Sequence, residues 1–429
     1  MPDRLRVVVV SRAVAPIHGY GGLERHVGDL VRHLARRAVG VTLITRTPSE
    51  PMTGHEAATA IVDDGPLAVR FVPYVTFPLA GRRGTTVLDR STAYPLFGWR
   101  AGRLARRLVE SGQAAIVHGQ GASVLGYALA GRAVRARAPL VLNPQGLEEF
   151  GGTGHRFAGS ALKAIGYAPL RWAVRACAAR AAAVIATDRS IEPSVRDYLG
   201  VGAARLVTIP NAVDLDRCES MAGPAAGHHM RRFVPAGTDF ILMSVGRLER
   251  NKGFHVLAEA LASLKGRSWF WVIVGDGPAR PQLEQQIAAL GLSDHVRLMG
   301  RTPTEDLHAW YEASDLFVHP TLYEGSSLVT LEAMAHRRAV VATSAGGLPD
   351  KVIAGRTGWL VPPGDAAALT DALREAMSRR GSLMAMGDAG RALVEREFSW
   401  DAVAERTIAL YRRLIGPVQT SEIDPHEIE

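Results

Sequence analysis

The 429-residue chain has only two cysteines, Cys177 and Cys218, which are too few for a disulfide framework or a thiolate metal cage. No stretch approaches the roughly 18 uninterrupted apolar residues of a membrane-spanning helix. The first apolar run, Val7 to Val10, is too short for a signal sequence, so we expect a cytoplasmic protein. Aromatic residues make up only 6 % of the chain, which argues against a protein that stacks nucleic-acid bases.

Positive charge is concentrated in the first half. The net charge is +8, and residues 82–180 hold 15 Lys or Arg against 4 Asp or Glu. Such a local excess indicates an anionic partner: a phospholipid, a phosphorylated acceptor or a nucleic acid. A helix over 99–110 would place Arg100, Arg103 and Arg107 on one face. That arrangement fits a helix resting on an anionic membrane surface and, equally, an ordinary solvated helix.

Short β-branched runs alternate with helical stretches along the chain. They lie at 5–10, 41–45, 114–118, 139–143, 182–187 and 205–210, and again at 239–246, 269–277, 295–300, 315–320, 338–343 and 357–362. Near-continuous apolar strands between helices are typical of a parallel sheet covered on both faces. At 46.0 kDa the chain is also large for one hydrophobic core. The sequence therefore predicts two doubly wound α/β domains in tandem.

We expect the first domain over 1–210 and the second over 211–397, with a loop-like connection at 209–230. An amphipathic helix is predicted over 398–416, followed by a loose acidic tail over 417–429. Ligands of open α/β sheets bind beyond the carboxyl ends of the strands. Two facing sheets would therefore enclose an interdomain cleft lined by the loops that follow strands.

Two of those loops have features of anion binding. After the first strand, Gly21 and Gly22 precede a helix, where glycines let the backbone approach a phosphate or sugar closely; simple turn chemistry is the alternative. After the strand at 239–246, Arg247 and Lys252 precede another helix. The two cations and the helix amides would suit a diphosphate, because arginine binds two oxygens and lysine adds a point charge. A solvated loop is the alternative here.

The sequence "YEGSSLVTLEAM" contains Glu324 and Glu332. If a helix begins at Ser326 or Ser327, Glu324 precedes it and Glu332 lies one to two turns inside, so both reach one end of the cleft. Carboxylates accept hydrogen bonds from paired hydroxyls, as in a ribose or hexose, while the amides up to Leu328 would donate to oxygen atoms. A surface Glu and a helix-lining Glu without a ligand are the alternative. A polyol site beside a diphosphate site predicts a nucleoside-diphosphate sugar.

Seven segments, spread along nearly the whole chain, together carry a family resemblance. They are "YGGLERHV" (20–27), "IPNAVD" (209–214), "VGRLERNKG" (245–253), "VGDGP" (274–278), the run 319–352, "GRTGWLVPPGD" (355–365) and "FSWDAVA" (398–404). Together they resemble the retaining glycosyltransferases of family 4, which have the GT-B fold: two Rossmann-like domains facing across a cleft. The resemblance implies transfer of a hexose from a nucleoside-diphosphate sugar to an acceptor hydroxyl, with retained configuration and no metal or other cofactor.

The resemblance also implies a role for individual positions. Glu324 would contact hydroxyls of the donor sugar, and Glu332 would hold the nucleotide ribose. Arg247 and Lys252 would neutralise the diphosphate. The other implied donor contacts are Gly21, Gly22, Gln145, the backbone beside Arg301, Gly325, Ser326, Ser327 and Leu328. The acceptor, a glycan, a glycolipid or a small molecule, would bind the first domain, and the helix over 398–416 would cross back onto that domain.

The chain departs from the family pattern at Gln145, where many relatives have a histidine that touches the donor sugar near the reacting carbon. Glutamine can hydrogen-bond a hydroxyl but does not carry a proton near neutral pH. His118, at the end of a first-half strand, is a candidate substitute, and a buried structural histidine is the other interpretation. The pair Asp214 and Asp216 imitates a metal motif of another glycosyltransferase fold but lies in the connection, so no metal site is expected.

Other classes share single features with this chain. A NAD-dependent dehydrogenase also has tandem doubly wound domains, but the glycine-rich loop lacks the third glycine of G-x-G-x-x-G. A nucleic-acid-binding protein would use the basic region, but no binding motif accompanies its arginines, and we expect no nucleic acid partner. A phosphorylase would need pyridoxal phosphate, and the G-x-x-x-x-G-K-[ST] loop of a P-loop kinase is absent from the sequence. The donor base, the sugar and the acceptor stay open.

Overall fold

The structure is a computed structural model that describes residues 5–63, 65–76, 86–145, 147–150 and 165–416. The predicted tail at 417–429 and two parts of the basic region, 82–85 and 151–164, lie outside the described residues. Among the helices of the described ranges, none combines the length and the hydrophobicity needed to cross a bilayer.

The first half folds around one parallel sheet with the strand order β3-β2-β1-β4-β5-β6-β7. Its strands are β1 (Arg6–Val10), β2 (Gly40–Arg46), β3 (Leu67–Val72), β4 (Ile116–Gln120), β5 (Leu140–Asn143), β6 (Ala183–Ala186) and β7 (Leu206–Thr208). Its helices are α1 (Gly22–Arg36), α2 (Gly54–Ile61), α3 (Thr86–Glu110), α4 (Leu125–Ala128), α5 (Arg132–Arg137), α6 (Ala168–Arg180) and α7 (Glu192–Leu199). Apolar clusters cover both faces of the sheet, as expected for a doubly wound domain.

Strand β3 is the one strand of the described residues that the sequence pattern missed. It pairs with β2 at the edge of the sheet, from Val41 opposite Leu67 to Arg46 opposite Val72. Of its six residues only Val69 and Val72 are buried, while Ala68 and Arg70 are exposed. An edge strand with one solvated face lacks the continuous apolar run that identified the other strands.

The second half repeats the plan with the strand order β10-β9-β8-β11-β12-β13. The strands are β8 (Phe240–Val245), β9 (Trp269–Val274), β10 (Val296–Gly300), β11 (Leu316–His319), β12 (Ala339–Thr343) and β13 (Gly358–Val361). All pairs are parallel. The prediction of two doubly wound α/β domains is confirmed.

The connection between the sheets is helical, and the prediction of a loop-like segment at 209–230 was wrong. It contains α8 (Leu215–Met221) and α9 (Pro224–Arg231). Asp214 caps α8, because its side chain accepts a hydrogen bond from the backbone N of Arg217 at 3.1 Å. α9 begins at a proline, whose fixed φ suits the first turn of a helix. Proline and aspartate thus mark helix starts here. The exact domain boundary at 210/211 stays a prediction.

The helices of the second half complete the layers around its sheet. They are α10 (Phe254–Ala262), α11 (Arg280–Ala289), α12 (Thr304–Ala313), α13 (Leu328–Ala335), α14 (Ala366–Ser378), α15 (Leu383–Leu393) and, last, α16 (Trp400–Ile415). α16 lies against the first half of the chain rather than the second. Trp400 stacks on His33 of α1 with ring centroids 5.8 Å apart, and the Tyr411 hydroxyl is 2.5 Å from Nδ1 of His118.

His118 occupies a structural position. The side chain is buried in β4, and burial lowers the pKa of its imidazole to about 3, so the ring is neutral at physiological pH. Its Nδ1 shares a hydrogen bond with the hydroxyl of Tyr411 in the last helix. His118 therefore ties α16 to the first sheet, which favours the structural interpretation over a role beside the donor sugar.

Candidate functional site

A cleft of about 830 Å³ separates the two halves at the carboxyl ends of the parallel strands. It lies where the strand order of each sheet reverses, between β1 and β4 on one side and between β8 and β11 on the other. This is the position at which open α/β sheets bind ligands. The halves also touch directly, since the backbone N of Arg189 donates a hydrogen bond to Asp350 Oδ2 at 2.8 Å.

The cleft lining contains about half of the predicted site residues. Those that line it are Gly22, Gln145, Gly325, Ser326, Leu328 and Glu332. The others lie outside the lining that the described residues form: Gly21, Arg247, Lys252, Arg301, Glu324 and Ser327. Most of this second group borders the lining through a neighbouring residue, as the following contacts show.

Two glycines bring the loops of the second half together around Glu324. Gly253 has φ +70°, and a Cβ there would lie 1.9 Å from the carbonyl oxygen of Pro320, so only glycine lets the loop after β8 approach the end of β11. Gly346 has φ +53°, and its Cβ would lie 1.7 Å from the carbonyl oxygen of Glu324. The loops after three neighbouring strands therefore meet at one point. This close approach places Lys252 beside Glu324.

Glu324 is held by two donors at one carboxylate oxygen. Lys252 Nζ and His319 Nε2 each lie 2.8 Å from Glu324 Oε2. Burial alone would raise the pKa of this carboxyl, but His319 and Lys252 outweigh that effect and lower it to about 2. Glu324 is therefore ionised at any physiological pH, with Oε1 left to accept hydrogen bonds from a ligand.

His319 lies at the start of the run 319–352, and no role was predicted for it from the sequence. It is the last residue of β11 and is almost fully buried, and its Nδ1 has no hydrogen-bond partner among the described residues. Its place at the carboxyl end of a central strand, five residues before Glu324, was the available signal. Its contact with the carboxylate makes it a positioning group for Glu324.

Helix α13 starts just after the predicted point. Ser327 is its cap, since its hydroxyl accepts a hydrogen bond from the backbone N of Thr330 at 3.3 Å, and Leu328 is its first residue. Ser326 precedes the cap and lines the cleft. Its hydroxyl accepts a hydrogen bond from Nζ of Lys351, a fully buried lysine, at 3.1 Å. A buried ammonium group thus stands behind the hydroxyl that faces the cleft.

Glu332 lies just over one turn inside α13, as predicted, and faces the cleft. The hydroxyl of Tyr311 donates a hydrogen bond to its Oε2 at 3.1 Å. Burial raises the pKa of Glu332, while the Tyr311 hydroxyl and the guanidinium of Arg25 act in the opposite direction. Arg25 belongs to α1, so both halves of the chain shape the surroundings of this carboxyl.

The two predicted cations have different partners in this structure, and their convergence on a diphosphate stays a prediction. Arg247 is largely exposed, and its Nε pairs with Glu249 Oε1 at 3.1 Å. Lys252 pairs instead with Glu324. Each cation therefore has its own carboxylate partner. The pair of Lys252 with Glu324 is mostly shielded, whereas Arg247 and its partner lie on the solvent side of the loop.

The remaining predicted residues frame the cleft from its edges. Gly21 caps α1 and Gly22 is the first residue of that helix, so the backbone amides at its start face the cleft side. Arg301 is exposed just beyond β10, and the next residue, Thr302, lines the cleft.

Gln145 has a strained backbone. It adopts φ +63°, a left-handed conformation that residues other than glycine rarely take. Its backbone N donates to Asn143 Oδ1 at 3.0 Å, and its side-chain Nε2 donates to Gln120 Oε1 at 2.5 Å. These bonds aim the amide across the first-half wall of the cleft. Strain of this kind concentrates at functional sites.

Several cleft residues were not singled out from the sequence. Arg12 follows β1 and lies over the ring of Tyr94, 5.2 Å from its centroid. Arg25 and Arg217 line the cleft from α1 and α8. They come from separate elements with no fixed spacing, so only the fold brings them together. Arg25 stood inside the segment "YGGLERHV" but was not singled out.

Two family models match the chain in succession. The model for Glycosyltransferase Family 4 matches residues 20–217, and the model for Glycosyl transferases group 1 matches residues 228–393. The chain belongs to the GT-B glycosyltransferases of family 4. This confirms the resemblance drawn from the seven segments and does not favour the dehydrogenase or nucleic-acid-binding alternatives.

Individual members of the glycosyltransferase family are moderately similar. The chain is 30 % identical over 250 residues to a 2-deoxystreptamine glucosyltransferase of Streptomyces kanamyceticus, covering 57 % of this chain and 63 % of that protein. It is 28 % identical over 413 residues to a glycogen synthase of Mycobacterium tuberculosis, covering 95 % and 94 % of the two chains. The match spans less than two thirds of the length of the first of these relatives.

Solved structures share the fold of this glycosyltransferase. Sucrose-phosphate synthase from Thermosynechococcus elongatus superposes with a TM-score of 0.71 at 24 % identity, covering 96 % of this chain and 99 % of that one. Anabaena Alr3699/HepE in complex with UDP-glucose gives 0.66 at 19 % identity, covering 95 % and 99 %. At such identities the likeness establishes the GT-B architecture.

Proposed function

We propose that this glycosyltransferase moves a hexose or a related sugar from a nucleoside-diphosphate sugar to an acceptor hydroxyl, with retention of configuration and without a metal or other cofactor. The observation that carries the proposal is the arrangement around α13. An ionised Glu324 stands before the helix, and a buried Glu332 faces the cleft one turn inside it. The amides at the start of the helix lie between these two residues in the chain, and their partial positive charge would stabilise a diphosphate.

The donor fits this arrangement from end to end. The ribose hydroxyls donate to Glu332, and the hexose hydroxyls donate to the free oxygen of Glu324. The amides of Ser326 to Leu328 receive the diphosphate. Family membership and the position of each carboxylate at the switch point of the second sheet support this placement.

Arg247 completes the diphosphate site by moving. Its guanidinium is mostly exposed and is held by a solvent-side contact with Glu249, which contributes little stability. Turning it to the diphosphate therefore costs little. Lys252 already lies at the carboxylate that holds the sugar, so it adds positive charge at the junction of sugar and phosphate.

Transfer breaks the bond between the anomeric carbon and the phosphate oxygen. Negative charge develops on the departing diphosphate, and each preorganised donor that meets it is worth about 3 kcal/mol of barrier. The acceptor hydroxyl attacks on the face that the diphosphate leaves, and the leaving phosphate takes the acceptor proton. Glu324 is committed to Lys252 and His319, so it positions the sugar and does not attack it.

The acceptor site is proposed on the first half of the cleft. Arg12 and the amide of Gln145 face the donor side from there. The names of relatives include 2-deoxystreptamine, phosphatidylinositol monomannoside and D-inositol 3-phosphate. A glycan, a glycolipid or a polar small molecule is the acceptor class we propose for this chain.

An anionic membrane surface is a further partner that we propose, for a cytoplasmic protein that binds it peripherally. Helix α3 exposes Leu96 and Trp99, and the guanidinium of Arg103 lies 4.8 Å from the centre of the Trp99 ring. Arg107 is exposed on the same helix. An apolar ring beside basic groups is typical of a helix that rests in a lipid headgroup layer.

A thermal-shift panel of nucleotide sugars tests the proposed donor class. A ligand at 100 times its dissociation constant adds about 2.7 kcal/mol of stability. One of the uridine, guanosine or adenosine diphosphate sugars should stabilise the protein, while NAD and pyridoxal phosphate should not. Transfer should persist in a chelator, and NMR of the product should show the anomeric configuration of the donor. Stabilisation by NAD alone, or an inverted product, contradicts the proposal.

A further inference from the structure

A cluster of buried metal-ligating side chains lies behind the ribose end of the cleft. It consists of Cys218 on α8, His308 on α12 and His336 just after α13, and all three are buried. Each offers one ligand atom, and the three atoms lie within 4.8 Å of one another. The residues are far apart in sequence and match no metal motif, so the fold alone assembles them.

A carboxylate orients the cluster. His336 Nδ1 lies 2.6 Å from Glu312 Oε1, and the other carboxylate oxygen accepts from Arg338 Nη2 at 3.4 Å. When the Nδ1–H of His336 donates to Glu312, the Nε2 of the same ring presents its lone pair to the cluster. Metal-binding histidines are held in this way by a carboxylate at their second nitrogen. The same Nε2 lies 2.7 Å from Nδ1 of His308.

The cluster is reached from the cleft. Cys218 and His308 both line it, as does the neighbouring Glu332. The fourth side of the cluster therefore faces the space in which a water or ligand oxygen can stand. Two imidazoles and one thiolate with an open position are a donor set that suits zinc. The guanidinium groups of Arg25 and Arg217 also face His308 and oppose a cation, while Glu312 attracts one.

We propose that Cys218, His308 and His336 bind a divalent cation such as zinc, and that this cation competes with the donor nucleotide. On binding, the thiol of Cys218 loses its proton to solvent and the sulfur coordinates the cation. His308 moves its proton from Nδ1 to Nε2, so that Nδ1 coordinates while His336 coordinates through Nε2. One proton is released for each cation bound, and nothing is oxidised or reduced.

The cation would compete with the nucleotide because the cluster lies beside Glu332. A cation on this cluster, with its open position filled by water, stands next to Glu332, where the ribose is proposed to bind. The carboxylate would turn to the cation, and the nucleoside would lose its anchor. This part of the inference rests on the proposed function, whereas cation binding does not. The site is inhibitory, so transfer itself still needs no metal.

Cobalt(II) titration of the reduced, chelator-treated full-length protein tests the site by absorption, independently of activity. We expect one cobalt per chain, with a thiolate-to-cobalt charge-transfer band and the visible bands of tetrahedral coordination. Cys218→Ser should abolish the charge-transfer band, and His336→Gln should weaken binding at least tenfold. Glu312→Gln should weaken it about 10- to 100-fold, as expected for a residue that orients a ligand. Cys177→Ser is the matched control, because Cys177 is the other free buried cysteine and should leave the spectrum unchanged.

The absence of a thiolate band in the folded wild-type protein overturns the proposal. So does a band that persists in Cys218→Ser or disappears in Cys177→Ser. Circular dichroism checks folding, and if Cys218→Ser is unfolded, the loss or persistence of cobalt binding in His336→Gln decides. Addition of the nucleoside diphosphate that stabilises the protein should lower the cobalt affinity at least tenfold. An intact band with unchanged affinity supports the cation site and overturns only the competition.

Discussion

Lys252 and Glu324 form an ion pair, with Nζ 2.8 Å from Oε2, that joins the loops after β8 and β11. These two strands are neighbours at the switch point of the second sheet. The pair is mostly shielded from solvent, and His319 at the end of β11 donates to the same carboxylate oxygen. The ion pair therefore holds the sugar-binding carboxylate in one orientation before any ligand arrives.

The first prediction separates the two cations of the loop after β8. Lys252→Met should lower the free energy of unfolding by about 3 kcal/mol, because it leaves a shielded carboxylate without its charge partner. Arg247→Ala should change it by no more than about 0.5 kcal/mol, since that side chain is largely exposed. Urea unfolding measures both. Equal stability losses in the two variants would contradict the described pairing.

Glu324→Gln should impair transfer far more than nucleotide binding. The amide keeps the size of the side chain but removes the charge that accepts the hexose hydroxyls, and we expect a loss of kcat of about 100-fold. The affinity for the nucleoside diphosphate, measured by calorimetry, should change less than about threefold, because the diphosphate and ribose contacts remain. An equally large loss of kcat and of nucleoside diphosphate affinity would count against the assigned role.

Glu332→Gln should show the opposite pattern. Replacing a carboxylate that receives two ribose hydroxyls removes charge-assisted hydrogen bonds worth about 1.5–3 kcal/mol, which corresponds to a loss of about 10- to 100-fold in nucleoside diphosphate affinity. Tyr311→Phe is the milder companion, because it deletes only the hydroxyl that orients Glu332. Calorimetry on both variants checks the order. Unchanged affinity in Glu332→Gln would remove this residue from the donor site.

The pKa of Glu324 predicts a dependence of stability on acid. Its folded pKa of about 2 lies below the usual value of about 4.3. The stability that this ionised carboxyl contributes is therefore fully present above the unfolded pKa and is lost as the pH falls through the folded pKa. Between pH 6 and pH 2.5 the wild-type protein should lose about 2 kcal/mol of its stability advantage over Glu324→Gln. Urea titrations at several pH values measure this difference. A constant difference over that range would show that the carboxyl is not held ionised by its partners.

The sequence predicted the two sheets because buried parallel strands are continuous apolar runs. It missed β3, which lies at an edge and is partly exposed, and it took the capped helices of the connection for a loop. The spacing of Glu324 and Glu332 around a helix start was correct because it depends only on local helix geometry.

Contacts between residues far apart in the chain could not be predicted from the sequence. The contact of Lys252 with Glu324 depends on Gly253 and Gly346, which allow three loops to close at one point. The pairing of Arg247 with Glu249 lies within the segment 245–253, but the sequence did not show which carboxylate each cation would choose. Cation and carboxylate pairing is settled by the folded geometry, and spacing along the chain does not report it.

The most direct test of the proposed donor site is a crystal structure with saturating nucleoside-diphosphate sugar. We expect the ribose on Glu332, the hexose hydroxyls on Glu324, and the diphosphate at the start of α13 within hydrogen-bonding distance of Lys252 and a reoriented Arg247. A donor bound elsewhere, or a diphosphate that touches neither cation while both carboxylates keep only their protein partners, would contradict it.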